Sequence, residues 1–239
     1  MITKNFLNQL AIKNQTTLVN TYREYCQNVF LSFLFQGKAK GNFLFKGGTA
    51  LRLVYGSPRY SEDLDFSLFQ IKSKEIEEIL LTVAGNLEKN NLSPKIIEAK
   101  QTTGGYLADL ELILHDQKIK ISLQGSLRKK NGTEPNVQLI LNDFIPPYTV
   151  SLLPEEILIG EKISAALTRG KPRDFFDIYF LIKKGLIPIK LRSSLKPISE
   201  LLKKKKIPFK KELAEFLPRS LHGLTNNFEK ILTNEINKV

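Results

Sequence analysis

Lys46-Gly47-Gly48-Thr49-Ala50-Leu51 and, a few residues on, Arg59-Tyr60-Ser61-Glu62-Asp63-Leu64-Asp65-Phe66 are the segments on which the fold class of this chain turns. The first follows a short apolar run, Phe43-Leu44-Phe45, which reads as a buried strand, and Thr49 to Val54 has the pattern of a helix start. A Gly-Gly turn between strand and helix lets the backbone approach a phosphate closely, because no Cβ intervenes and the N–H groups of the turn face the anion. Thr49 adds a hydroxyl donor at the same point. In the second segment Asp63 and Asp65 are one residue apart on a predicted strand. Period-two geometry sends both carboxylates to one face and Leu64 and Phe66 to the core. Two converging carboxylates repel unless a cation sits between them, and a divalent ion shared with gripped phosphates removes that repulsion. Gly-Gly-Thr and Asp-x-Asp are each common; their order and spacing together point to a site where a divalent ion meets phosphates.

Outward from this centre, Asn5 to Phe35 reads as helix from apolar residues at three- and four-residue steps (Leu7, Leu10, Ala11, then Leu18, Tyr22, Cys26, Phe30, Leu34). Gly56-Ser57-Pro58 stops the helix that starts at Thr49. Leu64 to Leu68 alternates as a half-buried strand, and Ser73 to Lys89 reads as a helix with Ser73 as N-cap and acids in its first turn. Pro94 to Gln124 reads as strands, with Leu110–Leu114 and Ile119–Leu123 forming a hairpin around a turn from His115 to Lys118, and Gln138 to Leu141 as a further short strand. Beyond Pro146-Pro147 and Pro154 the pattern is helical, first over Pro154 to Arg169 and then Arg173 to Lys184. The expectation is an α+β chain. Residues 1–150 form a catalytic domain with a mixed or antiparallel sheet, and residues 151–239 form a helical domain, with the active site in the cleft between them.

Composition narrows the chemistry. The chain has 239 residues, 42% hydrophobic and 25% charged, which suffices for a core without staples. Cys26 is the only cysteine, which excludes a cysteine zinc cage, and His115 and His222 are the only histidines, which argues against a histidine-built metal site. Carboxylate ligands suit Mg²⁺ or Mn²⁺. No apolar run has signal-peptide or membrane-span length, so the expectation is a cytoplasmic protein without a membrane partner. The net charge of +12 is what an RNA-binding protein would carry, although lysine-rich composition alone also produces it.

The pairing of a Gly-Gly helix start with Asp-x-Asp resembles the minimal nucleotidyltransferase fold of the DNA polymerase β superfamily. The longer string, from Lys46 to Phe66, is similar to the AbiEii/AbiGii-type nucleotidyltransferase toxins of toxin–antitoxin systems. A later signature of that family is matched by Glu161-Lys162-Ile163-Ser164-Ala165-Ala166, Arg169 and Arg173-Asp174-Phe175-Phe176-Asp177-Ile178-Tyr179. The resemblance implies a polymerase β-like domain that moves an NMP from an NTP to an acceptor. The acceptor class it implies is RNA, with tRNA 3′ ends as a known target, and the toxin would have a cognate antitoxin. It implies that Lys46, Gly47, Gly48, Thr49, Arg59, Ser61 and Arg169 bind nucleotide. Asp63 and Asp65 would hold the metal as catalytic residues, Lys162 would contact the triphosphate, and Asp174 or Asp177 would complete the site as an essential acid. Lys162, Ala166 and Arg169 follow at three- and four-residue steps, so Lys162 and Arg169 would face the same cleft. One departure stands out: many superfamily members place a third acid where this chain has Ser122, and Asp109 or Glu111 would have to substitute.

Plainer readings exist for several of these residues. Arg173-Asp174 would serve as a capping pair, Asp177 as a buried hydrogen-bond anchor, Lys162 as a surface lysine and Tyr179 as core. His115 and His222 read as surface residues, and Cys26 as a small buried hydrophobe. The run Lys203 to Lys206, with Lys210 and Lys211, is either a solvated helix face or a grip on a phosphate backbone. Two other functional classes remain open. An inactive nucleotidyltransferase-like module would bind RNA regardless of Asp63, and a transferase acting on small molecules or proteins would not use the lysine run.

Overall fold

In the computed structural model, residues 2–129, 134–204 and 206–239 are described. Lys205, within the lysine run, lies outside them. The chain divides into two compact units. One comprises Met1–Gly56 and Tyr60–Pro154, the other Ser57–Arg59 and Glu155–Val239. A division by chain order cannot anticipate that three residues just ahead of the Asp-x-Asp segment belong to the second unit.

The first unit is built on a seven-stranded mixed sheet. Its strands are β1 (Phe43–Lys46), β2 (Asp63–Phe69), β3 (Ser93–Thr102), β4 (Gly105–Leu114), β5 (Gln117–Arg128), β6 (Asn136–Ile140) and β7 (Tyr148–Leu152), in the order β3-β4-β5-β2-β1-β7-β6. The β2–β5 and β1–β7 pairs are parallel and the other pairs antiparallel. The expected long first helix is two: α1 (Lys4–Lys13) and α2 (Leu18–Gln36). Gln15 turns the chain with φ 51°, and the Thr17 hydroxyl caps α2 by accepting from the Asn20 N–H at 3.2 Å. A three-to-four periodicity that spans such a break keeps its apolar face on both sides, so period alone does not reveal it.

Helix α3 (Gly47–Leu53) follows β1 without a loop, and α4 is Ser73–Lys89. Ser73 is the first helical residue of α4 rather than its cap. Glu75 accepts the Lys72 N–H at 2.9 Å and satisfies that end of the helix instead. The β4–β5 hairpin is longer than the apolar pattern suggests. It closes on His115 and Asp116 alone, both left-handed (φ 49° and 65°), so Gln117 and Lys118 join the strand. His115 is half-buried, not a surface residue, with its Nδ1 3.3 Å from the Tyr22 hydroxyl.

The core of this unit lies on the face of β2 that carries Leu64, Phe66 and Leu68, all fully buried. Phe66 packs against Phe43, Phe45 and Phe35 at ring separations of 5.5, 5.6 and 6.3 Å. Helix α2 lies over this sheet, touching α4, β5 and β7. Cys26 of α2 is fully buried, and burial pushes its thiol up to about 12. The opposite face of β2 is left for Asp63 and Asp65, which are only partly buried.

The second unit is helical: α5 (Glu155–Thr168), α6 (Pro172–Lys183), α7 (Lys196–Lys204), α8 (Phe209–Phe216) and α9 (Phe228–Ile236). Its core is aromatic. Phe209 and Phe228 meet at 4.9 Å, Phe176 stacks on Phe228 at 5.9 Å, and Tyr179 meets Phe228 edge-on at 5.5 Å. No helix among the described residues is long and apolar enough to cross a membrane.

Candidate active site

Gly47 is where sequence and geometry meet most tightly. Its φ is +82°, a left-handed conformation that only glycine adopts cheaply. A Cβ built there would stand 2.0 Å from Oδ2 and 2.7 Å from Cβ of Asp65. The turn that begins α3 is thus packed directly on the second carboxylate of the Asp-x-Asp strand. Register explains the closeness: β1 and β2 are antiparallel with Lys46 opposite Asp65, so the residue after Lys46 passes over that carboxylate. Lys46 itself is buried, as are Gly48 and Thr49. With seven residues α3 is short, and the close approach of backbone matters here more than any helix dipole.

The Thr49 hydroxyl donates to the Asp63 carbonyl at 2.6 Å. Its proton is therefore spent on fastening α3 to β2, and the expected donation to a phosphate gives way to a positioning contact. Ser61 is likewise held through its backbone: the Gln27 side-chain amide, on α2, donates to the carbonyls of Ser61 (3.0 Å) and Glu62 (3.1 Å). Nearby, Glu24 pairs with Arg52 at 2.6 Å, and the Arg52 guanidinium lies 3.4 Å from the centre of the Tyr60 ring. Gln27, Glu24 and Arg52 thus brace the turn and the approach to β2. No sequence motif marks them, because each is one polar residue on an otherwise ordinary helix.

Asp63 and Asp65 share a face of β2, with buried Leu64 and Phe66 on the other. Oxygen donors of this kind suit a hard divalent cation, and Mg²⁺ needs only one or two carboxylates when phosphates and water complete its shell. Across the sheet, Asp63, Ser122 and Asp109 stand in register on β2, β5 and β4. Adjacent strands are about 4.8 Å apart, so Asp109 stands two spacings from Asp63. Lys120 instead pairs with Asp109 at 2.6 Å. Burial works against the charged Asp109 carboxyl, but hydrogen bonding from Lys120 and Ser122 and the charges of Lys120 and Lys100 hold it below the usual carboxylate range. Glu111 pairs with Lys118 at 3.5 Å. Among the described residues no group of three or more His, Cys, Asp or Glu is placed to hold a metal, so the expected substitution by Asp109 or Glu111 is not formed here.

The residues matched by the later signature assemble within the second unit. Asp177 on α6 is 1% exposed and takes two bonds from Arg59, Nε at 2.9 Å and Nη2 at 3.0 Å, and a third from Lys162 Nζ on α5 at 2.7 Å. Arg59 is 3% exposed and Lys162 9%. Asp177 is thus the anchor of a buried ion triad. Arg59, expected at the nucleotide, is committed to Asp177, and Lys162 is no surface lysine. Asp174, also expected as a catalytic acid, accepts the Lys171 N–H at 3.0 Å and a two-pronged pair from Arg169, so it caps α6. Arg169 lies just past the end of α5. It and Lys162 pair with Asp174 and Asp177, which stand three residues apart on α6, so both cations face that helix.

Burial alone would raise the Asp177 carboxyl, but the charges of Arg59 and Lys162 and their hydrogen bonds outweigh it and hold the carboxyl below the usual carboxylate range. A lowered folded-state value means the stabilisation is complete above the unfolded-state value of about 4 and is lost as pH falls through the folded one. The stability gap between wild type and Asp177→Asn should therefore be constant from neutral pH to about 4 and should close below it. Denaturant midpoints taken across that range test this; a gap that closes between pH 5 and 7 would refute it.

A family model described as Nucleotidyl transferase AbiEii toxin, Type IV TA system, matches residues 30–232. A candidate nucleotidyltransferase from H. pylori superposes with a TM-score of 0.62 at 23% identity, covering 91% of this chain and 94% of the other. JHP933 from Helicobacter pylori superposes at 0.59 with 20% identity, covering 93% and 95%. At these identities the structures establish likeness of fold. The search of curated proteins gave no match.

Proposed function

This chain belongs to the AbiEii family of nucleotidyl transferase toxins of type IV toxin–antitoxin systems, and we propose that it moves an NMP from an NTP to a hydroxyl of RNA. In this reading the acceptor oxygen bonds to the α-phosphorus, the bond to the bridging oxygen breaks, pyrophosphate leaves and the hydroxyl proton is released. The observation that carries it is the packing of Gly47 against Asp65, which puts a bare backbone turn directly beside the paired carboxylates. Gly47 and Gly48 lie against the NTP phosphates, and Thr49 and Gln27 keep the turn and β2 in place through their backbone bonds. Asp63 and Asp65 would hold Mg²⁺ or Mn²⁺. When bound, such an ion supplies charge neutralisation for the reacting phosphate and the departing pyrophosphate.

RNA as acceptor is supported by the net charge of +12 and by the family resemblance, which implies the 3′ end of tRNA. A cognate antitoxin is the partner implied by a type IV system. The test is incubation of the purified protein with Mg²⁺, each NTP labelled at the α-phosphate, and total RNA, with Asp63→Ala alongside. Label in RNA with wild type alone supports the reading. Label in a protein or small molecule instead overturns the choice of acceptor, and equal label with Asp63→Ala overturns the assignment of the carboxylates.

A further inference from the structure

An open cavity of about 740 Å³ in the helical unit is lined by Lys206, Lys210, Lys211 and Lys230, together with Asn226 and Asn227 and other polar residues. All four lysines are exposed, and among the described residues none of them has an ion-pair or hydrogen-bond partner. Eight lysines elsewhere, Lys13, Lys100, Lys118, Lys120, Lys162, Lys183, Lys190 and Lys238, pair with a carboxylate, and what sets these four apart is that they gather around one concavity. Only one acid, Glu229, shares the lining of the cavity. Four ammonium groups around one concavity repel one another, and folding alone gains nothing from that arrangement.

Their position sharpens the point. Lys210 and Lys211 stand in the first turn of α8 and Lys230 in the first turn of α9, where exposed peptide N–H groups already disfavour cations. The Phe209–Phe228 pair roots both helix starts in the core, so the charged groups are carried on a firm base. A bound polyanion turns the repulsion into attraction. Protein interfaces are depleted in lysine, and large apolar side chains are absent from the exposed part of this lining, so a nucleic-acid backbone fits better than a protein surface.

We propose that this cavity is a docking site for the phosphate backbone of the RNA acceptor, with Lys206, Lys210, Lys211 and Lys230 on successive phosphates and the asparagine amides on phosphate or ribose oxygens. The inference rests on RNA being the acceptor. It extends the lysine run read in the sequence, of which Lys203 and Lys204 end α7 outside the lining, and adds Lys230 from a separate helix.

The test is a fluorescence titration of the full chain with a labelled single-stranded RNA across a salt series, comparing wild type with Lys210→Gln/Lys211→Gln/Lys230→Gln. Each phosphate contact contributes about 0.7 to the slope of log K against log salt, so the triple variant should lose about 2 in slope and bind roughly 100-fold more weakly near 0.1 M. Binding of a fluorescent NTP analogue should not change. RNA binding by wild type with an unaltered slope in the variant would place the RNA elsewhere and overturn the inference while leaving the acceptor reading intact. No RNA binding by wild type would overturn both. Loss of an acidic protein partner with RNA binding unaffected would make the cavity a protein surface, which also overturns the inference.

Discussion

Gly47→Ala should lower nucleotidyl transfer by roughly 100-fold or more while the protein stays folded. A side chain at φ +82° costs on the order of 1–2 kcal/mol from backbone strain alone. The larger effect is local: the new methyl would lie 2.0 Å from Asp65 Oδ2, so either the turn or the carboxylate must move. A displacement on the order of 1 Å at a reacting group costs about 100-fold in rate. Two readouts separate this from general damage. Helical content should match wild type, and the stability cost should shrink in Gly47→Ala/Asp65→Gly, where the obstructing side chain is gone. A double-mutant cycle with no coupling, or Gly47→Ala at wild-type rate, would show that the carboxylate beside the turn is not held for catalysis.

Asp177→Asn carries the largest expected stability loss, about 3–5 kcal/mol at neutral pH, because it leaves Arg59 and Lys162 buried without a counter-charge. Asp174→Asn should cost only about 1 kcal/mol, since its chief structural bond caps α6 and its partner Arg169 is half exposed. The expected order in a denaturant series followed by circular dichroism is wild type, then Asp63→Ala close to it, then Asp174→Asn, then Asp177→Asn well below. Asp63→Ala should abolish transfer without moving the unfolding midpoint, whereas Asp177→Asn should lose both. If Asp177→Asn proves as stable as wild type, the triad is not the anchor its geometry describes, and Asp177 returns to consideration as a chemical acid.

These contrasts mark what could be read along the chain. The Gly47-Gly48 turn and the Asp63–Asp65 alternation were legible because both are local: one is a backbone conformation, the other a period of two along a single strand. The strand-rich first part and the helical later part were legible for the same reason, through hydrophobic periodicity. The split between α1 and α2 was not, since an amphipathic pattern carries on across a sharp turn.

The charged residues of the later signature were visible as a pattern, but their tasks were not. Arg59 and Asp177 are 118 residues apart, and only folding decides that one neutralises the other in a buried setting. Burial turns a carboxylate that could do chemistry into one that must be paired, and a sequence does not display burial of that kind. Sheet order likewise placed Ser122 between Asp63 and Asp109, so a third acid nearby in sequence pattern is two strands away in space. By itself, the sequence determined the paired carboxylates on one strand face and the glycine turn, through local geometry. The tertiary structure decided which charges face one another, through register and burial acting over long separations.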